Sequence, residues 1–258
     1  MIDFPWVEPG EPVPVSATTY VAYRRCAESA AARLRGLYGP DSKIAFRGGL
    51  AHRVFARHLS VGPIETDGFE MACRQEIGSS NMNMKVADLG LKPSEIRNLI
   101  EEVGHLYERF KSLSSDGFTA AEVALEHEPT EGVVLKGSVD AVFDDGPAGV
   151  RLVDWKTGQL GSSDDQMAFY TLLWALDRKE LPGSVEAMSV KTGERSTSVP
   201  SLAEVTQTAR NVADLVTSVR RGSVAQEGLE RTAGPWCRYC PVLDSCSEGA
   251  AAVQVFGT

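Results

Sequence analysis

The sequence predicts an α/β or α+β domain in which a central mixed β-sheet is flanked by helices. Three observations lead to this prediction. Helical periodicity dominates the first 115 residues, three strand-like segments follow, and helices and a hairpin come after them. Such an order is typical of one sheet covered by helices. We therefore treat the 258 residues as one domain, in four parts: a lead-in (1–15), a helical part (16–115), a core (116–222) and a cysteine-rich part (223–258).

The N-terminal part is expected to be extended at first and helical afterwards. Four of its first 15 residues are prolines, which disfavour a helix there. Ser16 is a candidate N-cap, since its hydroxyl can accept a bond from the first helical turn. Helices are predicted over four segments: 17–35, 47–60, 66–78 and 94–112. The segment 79–93 is predicted to be a loop.

The period of the hydrophobic residues then changes from that of a helix to that of strands. Three strands are predicted in succession: 118–129, 132–145 and 149–158. Turns are expected at Thr130–Gly132 and at Asp144–Gly149. The remaining chain is expected to form a helix at 162–178, a hairpin about Lys191–Gly193 and a helix at 201–222.

The charge distribution leaves two interpretations open. The formal net charge is −9, which argues against a nucleic-acid binder if the total alone is considered. Residues 24–57 nevertheless contain only two acidic residues and eight basic ones: Arg24, Arg25, Arg33, Arg35, Lys43, Arg47, Arg53 and Arg57. They form either a solvated helix face or a phosphate-binding face, and charge alone favours the first.

The chain also lacks the signals of a membrane or secreted protein. It has no run of 18 apolar residues, and its N-terminus has neither the basic flank nor the apolar stretch of a signal peptide. We therefore expect a cytoplasmic protein without a membrane partner. In that compartment the five cysteines are not expected to form a disulfide framework.

The segment VRLVDWKTGQL, residues 150–160, places two charged side chains in a strand that should enter the core. Asp154 and Lys156 are two residues apart and therefore share a face. Burying both is costly unless they are paired or meet a metal and a substrate. Asp140, on the preceding strand, can converge on Asp154, and two close carboxylates suit Mg²⁺ or Mn²⁺. From this spacing alone, a structural ion pair at a sheet edge is the simpler explanation.

Further polar residues around this pair resemble the pattern of the RecB-like exonucleases in the PD-(D/E)XK nuclease superfamily. The matching motifs are G-x-x-H ending at His52, G-x-x-D from Gly137 to Asp140, D-x-K from Asp154 to Lys156, and Q-x-x-x-Y from Gln166 to Tyr170. The resemblance implies a restriction-endonuclease-like fold and metal-dependent hydrolysis of DNA. Val139 stands where the superfamily name has proline, which is usual in this branch.

The resemblance also implies a role for each matching residue. His52, Asp140, Asp154 and the main-chain carbonyl of Trp155 would bind the catalytic Mg²⁺ or Mn²⁺. Lys156 would act on the attacking water, and two further residues, Gln166 and Tyr170, would help to hold substrate and site together.

Other titratable residues are left outside this set. His58, His105 and His127 are expected to be structural, whereas Glu122 and Glu126 either face the site or lie on the strand surface.

The cysteines indicate a second metal site. Cys237, Cys240 and Cys246 form C-x2-C-x5-C, for which zinc is the usual metal. The fourth ligand would be Cys26 or Cys73. The segment around Cys26 resembles that of the iron–sulfur members of the family, the CRISPR-associated exonucleases and AddB-type subunits. The resemblance implies a 4Fe-4S cluster on Cys26 and the three C-terminal cysteines, which joins the two ends of the domain. Zinc is the alternative metal, and Cys73 is then a buried apolar residue.

Two classes of function follow from these residues. The first is a metal-dependent DNA exonuclease that acts on single-stranded DNA or DNA ends with 5′ to 3′ polarity, in recombination, CRISPR adaptation or phage DNA processing. Its DNA contacts would be Tyr23, Arg24, Arg25, Arg53 and Arg57. Its partners would include recombination or CRISPR-adaptation proteins, or further copies of the chain. The second is a non-catalytic DNA-end-binding or assembly subunit, which the intact acidic and lysine residues disfavour. No G-x-x-x-x-G-K-[ST] motif is present, so the chain is not itself an ATP-driven helicase.

Overall fold

The computed structural model describes residues 2–39, 41–225 and 228–256 as one mixed sheet between two layers of helices. The strands are β1 (Val13–Ser16), β2 (Phe118–Thr130), β3 (Val133–Asp144), β4 (Val150–Lys156), β5 (Ser184–Ser189) and β6 (Arg195–Ser198). The helices are α1 (Ala17–Arg25), α2 (Ala27–Leu34), α3 (Lys43–Val61), α4 (Phe69–Gly78), α5 (Met82–Asp88), α6 (Pro93–Phe110), α7 (Asp164–Arg178), α8 (Leu202–Ala225) and α9 (Ser247–Phe256). Across these three described ranges, none of the helices has the length and apolarity needed to cross a membrane.

Strand β3 is the centre of the sheet. It pairs along its length with the antiparallel strand β2. Its other edge is shared, because β1 pairs in parallel with the first residues of β3 and β4 pairs antiparallel with the last. Strand β5 then runs parallel to β4, and β6 runs antiparallel to β5. The predicted mixed sheet flanked by helices is confirmed.

Each face of the sheet has its own hydrophobic core. On one face α1, α7 and α8 pack over Leu152 of β4 and the residues on its side of the sheet. On the other face α3 and α6 pack over Val153 and Trp155, and the Phe55 and Phe110 rings stack with centroids 4.1 Å apart. Adjacent residues of β4 thus enter opposite cores, which explains why apolar residues such as Leu152 and Val153 follow each other directly in its sequence.

The order of helices and strands agrees with the sequence over most of the chain. Ser16 caps α1 as expected, since its Oγ accepts a hydrogen bond from Thr19 N at 3.2 Å. The three central strands, the following helix, the β5–β6 hairpin and the long helix α8 are all present. These elements have strong hydrophobic periodicity and clear turn residues at their ends.

Two local predictions were wrong, and two elements were not predicted. The lead-in ends in strand β1, whose Val13 and Val15 are buried, because prolines are tolerated in an edge strand. The predicted loop 79–93 contains helix α5, which is held by the buried Met82. The predicted helix 17–35 is two helices, since Cys26 adopts an extended conformation (φ −163°, ψ 116°). Helix α9 at the C-terminus was not predicted.

Two glycines allow helices to approach the sheet closely. A Cβ on Gly137 of β3 would lie 3.2 Å from a ring carbon of Tyr170 and 3.4 Å from Leu173 on α7. A Cβ on Gly48 of α3 would lie 3.3 Å from the hydroxyl of Thr157, which follows β4. Both glycines therefore set the distance between the sheet and a helix that carries polar site residues.

We expect Gly137→Ala to lower the free energy of unfolding by about 1–3 kcal/mol, because the methyl group overpacks the contact with α7. Urea denaturation measures this change. The matched control is Gly161→Ala, since a Cβ there meets no atom within 4 Å. Equal midpoints for the two variants would show that α7 moves away from the sheet without cost.

Candidate active site

Three carboxylates form a row across three neighbouring strands. The β3–β4 pairing ends with Ala141 opposite Val153, and the next residue of each strand in this register is Asp140 and Asp154, which lie opposite each other. The pairs on either side of Glu122 place it opposite Asp140 on β2. Residues opposite each other on neighbouring strands are in close reach. The structure therefore brings Asp140 and Asp154 together and adds Glu122 to them.

Helix α3 places a histidine over this row. His52 Nδ1 lies 3.2 Å from Asp140 Oδ1, while the other oxygen of Asp140 accepts a hydrogen bond from Trp155 N at 2.7 Å. Burial alone would lower the pKa of His52, but the hydrogen bond and the negative charge of Asp140 raise the pKa overall. The Asp140 carboxylate is thus fixed between α3 and β4, with its two oxygens oriented by different elements.

His52, Glu122 and Asp140 have the geometry of a metal-binding group. One ligand atom from each lies within 4.8 Å of the other two. One imidazole nitrogen and two carboxylate oxygens suit a divalent cation such as Mn²⁺ or Mg²⁺. Glu122 was left open by the sequence. Its signal was the hairpin register, because Glu122 and Asp140 are equally far from Glu131 in the β2–β3 turn.

Glu122 also has an unusual backbone. Its φ is +50°, in the left-handed region that a non-glycine residue seldom occupies inside a strand. Ser138 Oγ donates a hydrogen bond to Glu122 Oε2 at 3.2 Å. Burial and the charge of Asp140 raise the pKa of Glu122. Backbone strain of this kind is concentrated at functional sites, where the surrounding structure maintains it.

Asp154 and Lys156 share one face of β4 and meet Gln166 and Tyr170 of α7. Lys156 Nζ lies 2.7 Å from Asp154 Oδ2 and donates to Gln166 Oε1 at 2.6 Å. Gln166 Nε2 donates to Asp154 Oδ1 at 2.7 Å and to Tyr170 Oη at 3.2 Å. The Gln166 amide therefore orients the carboxylate and the ammonium at once. Asp154, Lys156 and Tyr170 are thus connected to one another, directly or through Gln166.

Asp154 Oδ2 is short of hydrogen bonds. The Asp154 side chain is 5 % exposed, and its Oδ2 meets the Lys156 ammonium as an ion pair at 2.7 Å without a further hydrogen bond. No other described residue donates to Oδ2. Lys156 compensates part of the cost of burying this oxygen, and a bound metal ion would compensate more of it. Asp154 therefore fits the metal that the neighbouring His52 group would hold, although it is not one of the three residues of that group.

An open groove lies beside the carboxylate row. Its lining joins His52, Glu122 and Asp140 to two of the predicted DNA contacts, Arg53 and Arg57. Arg57 donates to Gln75 and Glu76, which holds its guanidinium at the groove wall.

The other three predicted DNA contacts lie on α1, outside the lining of the groove. Arg24 pairs with Asp165 at 3.1 Å, Arg25 is exposed, and Tyr23 is half-buried with its hydroxyl 3.4 Å from Ser218.

Four of the five cysteines line one small pocket between the two ends of the chain: Cys26, Cys237, Cys240 and Cys246. Main-chain N–H groups of Gly234 and Gly249 point at the sulfurs of Cys237 and Cys246, at 3.4 and 3.3 Å. Such bonds stabilise thiolates. Cys73 lies apart, fully buried in the core of α3 and α6, where burial raises the pKa of its thiol to about 12.

The pH dependence of stability tests the position of Asp154. Burial and the charge of Asp140 raise the pKa of Asp154 from 3.8 to about 6. A raised folded-state pKa means that the carboxyl stabilises the fold while protonated and loses this contribution as the pH rises through about 6. In metal-free protein at pH 8, we expect Asp154→Asn to raise the Tm, with a gain of at most about 3 kcal/mol in the free energy of unfolding. The gain should be smaller at pH 5.

Thermal unfolding in the presence of a chelator measures the effect of Asp154→Asn. The control is Asp116→Asn, whose exposed carboxylate makes no comparable contact. A lower Tm for Asp154→Asn than for wild type at pH 8 would mean that Lys156 and Gln166 already neutralise the buried charge.

Known proteins were compared with the chain. None of the curated proteins matches it. A solved structure named "Putative exonuclease" from Eubacterium rectale has a similar fold, with a TM-score of 0.54 at 13 % identity, over 91 % of this chain and 88 % of that one. The structure named SSO0001 matches over 77 % of this chain and 94 % of that chain at 18 % identity, but its TM-score of 0.37 is too low to indicate a shared fold. The sequence model of the PD-(D/E)XK nuclease superfamily matches residues 14–247, and the chain therefore belongs to that superfamily.

Proposed function

We propose that the protein is a divalent-metal-dependent DNA exonuclease that hydrolyses phosphodiester bonds of single-stranded DNA. The observation that carries the proposal is the row of Glu122, Asp140 and Asp154, with His52 above it and Lys156 held beside Asp154. A superfamily of nucleases supplies the reaction class. The similarity to the structure named "Putative exonuclease" supports the choice of an exonuclease.

The metal would be held by His52, Asp140, Asp154 and the Trp155 carbonyl. Glu122 would be a further ligand. When bound, a divalent ion would neutralise phosphate charge and lower the pKa of a water molecule. The negative row needs such a charge, because neighbouring carboxylates repel one another in a poorly solvated site. The buried Oδ2 of Asp154, paired only with Lys156, supports its inclusion among the ligands.

Lys156 would stabilise the charge that develops on the phosphate and hold the attacking water. Its side chain is 29 % exposed, while the position of its ammonium is fixed by Asp154 and Gln166. Tyr170 would not contact the substrate. Its hydroxyl accepts a hydrogen bond from Gln166 Nε2 and so would keep the Gln166 amide in place. Preorganised charges of this kind lower the barrier without reorganisation during the reaction.

Arg53 and Arg57 would bind the phosphate backbone along the groove. Both line the same opening as His52 and Asp140, so a strand bound by them passes the metal site. Arg24, Arg25 and Tyr23 would extend this path along α1. The 5′ to 3′ polarity, the cytoplasmic setting, the roles in recombination, CRISPR adaptation or phage DNA processing, and the partners in those roles rest on the resemblance in sequence.

The alternative is a DNA-end-binding or assembly subunit that has the nuclease fold without the activity. The close contacts of Lys156, Asp154 and Gln166 favour the enzyme, since a binding subunit has no need to keep an ammonium at a buried carboxylate.

We propose further that the cysteine pocket holds a 4Fe-4S cluster. All four predicted ligands line the pocket, and two of the sulfurs accept N–H bonds. Among the residues that the structure describes, no three of these sulfurs lie within 4.8 Å of one another. Tetrahedral zinc, with Zn–S bonds of about 2.3 Å, needs sulfurs closer than this. The choice of a 4Fe-4S cluster rests on the resemblance in sequence, and zinc is the alternative outcome.

Lys156→Ala should lower the rate of DNA hydrolysis by roughly 10²-fold or more, because it removes the group that acts on water and phosphate. The assay follows single-stranded DNA in Mn²⁺, with either the 5′ or the 3′ end blocked. Lys191→Ala is the matched control, since Lys191 is exposed in the β5–β6 turn. The proposed polarity predicts that only the 5′ block stops degradation.

A rise in Tm with Mn²⁺ in both variants would show that the metal site is intact. If wild type and Lys156→Ala leave the strand equally undegraded under these conditions, the protein is the non-catalytic binding subunit.

Metal content tests the cysteine site. Protein purified without oxygen should be brown and contain about four iron and four sulfide per chain, and Cys240→Ser should lose most of both. Cys73→Ala should keep them, because Cys73 lies in a different core. A colourless protein that contains zinc instead would identify the alternative metal.

A further inference from the structure

The cysteine pocket is assembled from the two ends of the chain. Cys26 lies at the junction of α1 and α2, whereas the other three cysteines follow the segment 228–236. The sheet does not connect these ends, because its strands all lie between residues 13 and 198 of the described chain. Their relative position depends on the packing of α8 against α1 and α2, and on direct contacts between α2 and the C-terminal segment.

Glu28, in the first turn of α2, makes the central contact between these ends. Its Oε2 accepts a hydrogen bond from Leu229 N at 2.8 Å, and its own N–H donates to the carbonyl of Glu230 at 3.2 Å. The second carboxylate oxygen accepts from Arg35 Nη2 at 2.8 Å. One residue thus exchanges a donor and an acceptor with a dipeptide from the other end of the chain.

We propose that Glu28 is a positioning residue that holds the C-terminal cysteine segment against α2 and so prepares the four-cysteine site to take up its metal. The proposal rests on the proposed metal centre, but the contact of Glu28 exists in the protein chain itself. Glu28 is not a ligand in this proposal. It acts through residues 229–230, a few positions before Cys237.

The surroundings of Glu28 make the contact strong. The side chain is 10 % exposed, so water competes poorly for its oxygens. The N–H of Glu28 is one of the free donors at a helix start, and the Glu230 carbonyl satisfies it. Hydrogen bonds to a charged, shielded carboxylate are stronger than neutral ones. By contrast, the nearby pair of Arg231 and Glu248 is exposed and 3.5 Å apart, which contributes little.

Holding the segment lowers the entropy lost when four distant thiols come together. A site prepared in this way binds its metal more tightly and releases it more slowly. Without the Glu28 contact, the segment 228–236 would leave α2 more often, and three of the four ligands would leave with it.

Two variants of Glu28 separate the charge from the contact. Glu28→Ala removes both oxygens. Glu28→Gln keeps an acceptor for Leu229 N but turns its amide donors toward Arg35. The matched control is Glu230→Gln, which makes the same charge change in the partner segment, where only the main-chain carbonyl takes part. Far-UV circular dichroism identifies any variant that fails to fold, and Glu28→Gln then replaces Glu28→Ala.

The first measurement does not need the metal. The full-length chain, as purified and after metal removal, is treated with trypsin, and cleavage after Arg231 is followed by mass spectrometry. We expect Glu28→Ala to be cut roughly tenfold faster than wild type, Glu28→Gln at an intermediate rate, and Glu230→Gln at the wild-type rate. Equal cleavage of all four proteins would overturn the proposal.

The second measurement is the release of metal from the purified protein to an iron or zinc chelator. The same order of variants is expected, again with a difference of roughly tenfold between Glu28→Ala and wild type. Equal release from a metal-loaded wild type and Glu28→Ala would overturn the role of Glu28. A wild type without iron or zinc would instead overturn the proposed metal centre, and the proteolysis result would still decide what Glu28 holds.

Discussion

The repulsion among three carboxylates at one edge of the β3–β4 pairing is the constraint on which the site depends. Glu122, Asp140 and Asp154 come from neighbouring strands, and both Glu122 and Asp154 have raised pKa values because of burial and of the charge on Asp140. Lys156 offsets part of this charge, and His52 offsets more when it is protonated. The three carboxylates outnumber these two cationic groups, so a further cation would be favoured beside the row.

The divided edge of β3 leaves Asp140 outside the pairing with β1 and β4. Strand β1 pairs with residues 133–136 and β4 with residues 141–144, which leaves residues 137–140 of this edge without a ladder partner. Asp140 lies at the end of this gap, where its carboxylate accepts from Trp155 N in place of a strand-to-strand bond. Gly137 lies at its start and admits Tyr170 from α7. The same gap therefore admits the Asp140 carboxylate and the helix that carries Gln166, the hydrogen-bond partner of Lys156.

Local patterns in the sequence were enough to predict the sheet and the Asp154–Lys156 pair, because alternation along a strand is visible in the residues themselves. The resemblance to known nucleases directed attention to His52 and Gln166, whose contacts cross from one element to another. Glu122 required the register of β2 against β3, and its positive φ has no sequence signal in a residue other than glycine. Strand β1 was missed for a related reason, since its prolines predict an extended segment without a partner and only the edge of β3 makes it a strand.

Helix α1 connects the two polar sites of the molecule. It begins at the Ser16 cap, directly after β1 leaves the β3 edge, and it ends at Cys26 in the cysteine pocket. Along its length it packs on α7, with the Tyr20 and Phe169 rings 5.7 Å apart and Arg24 bonded to Asp165, the residue before Gln166. Arg24 is exposed, so this ion pair by itself contributes little, and the buried ring contact must carry most of the alignment. The contacts of Glu28 with residues 229–230 therefore lie just beyond the end of the helix against which the Gln166 helix is packed.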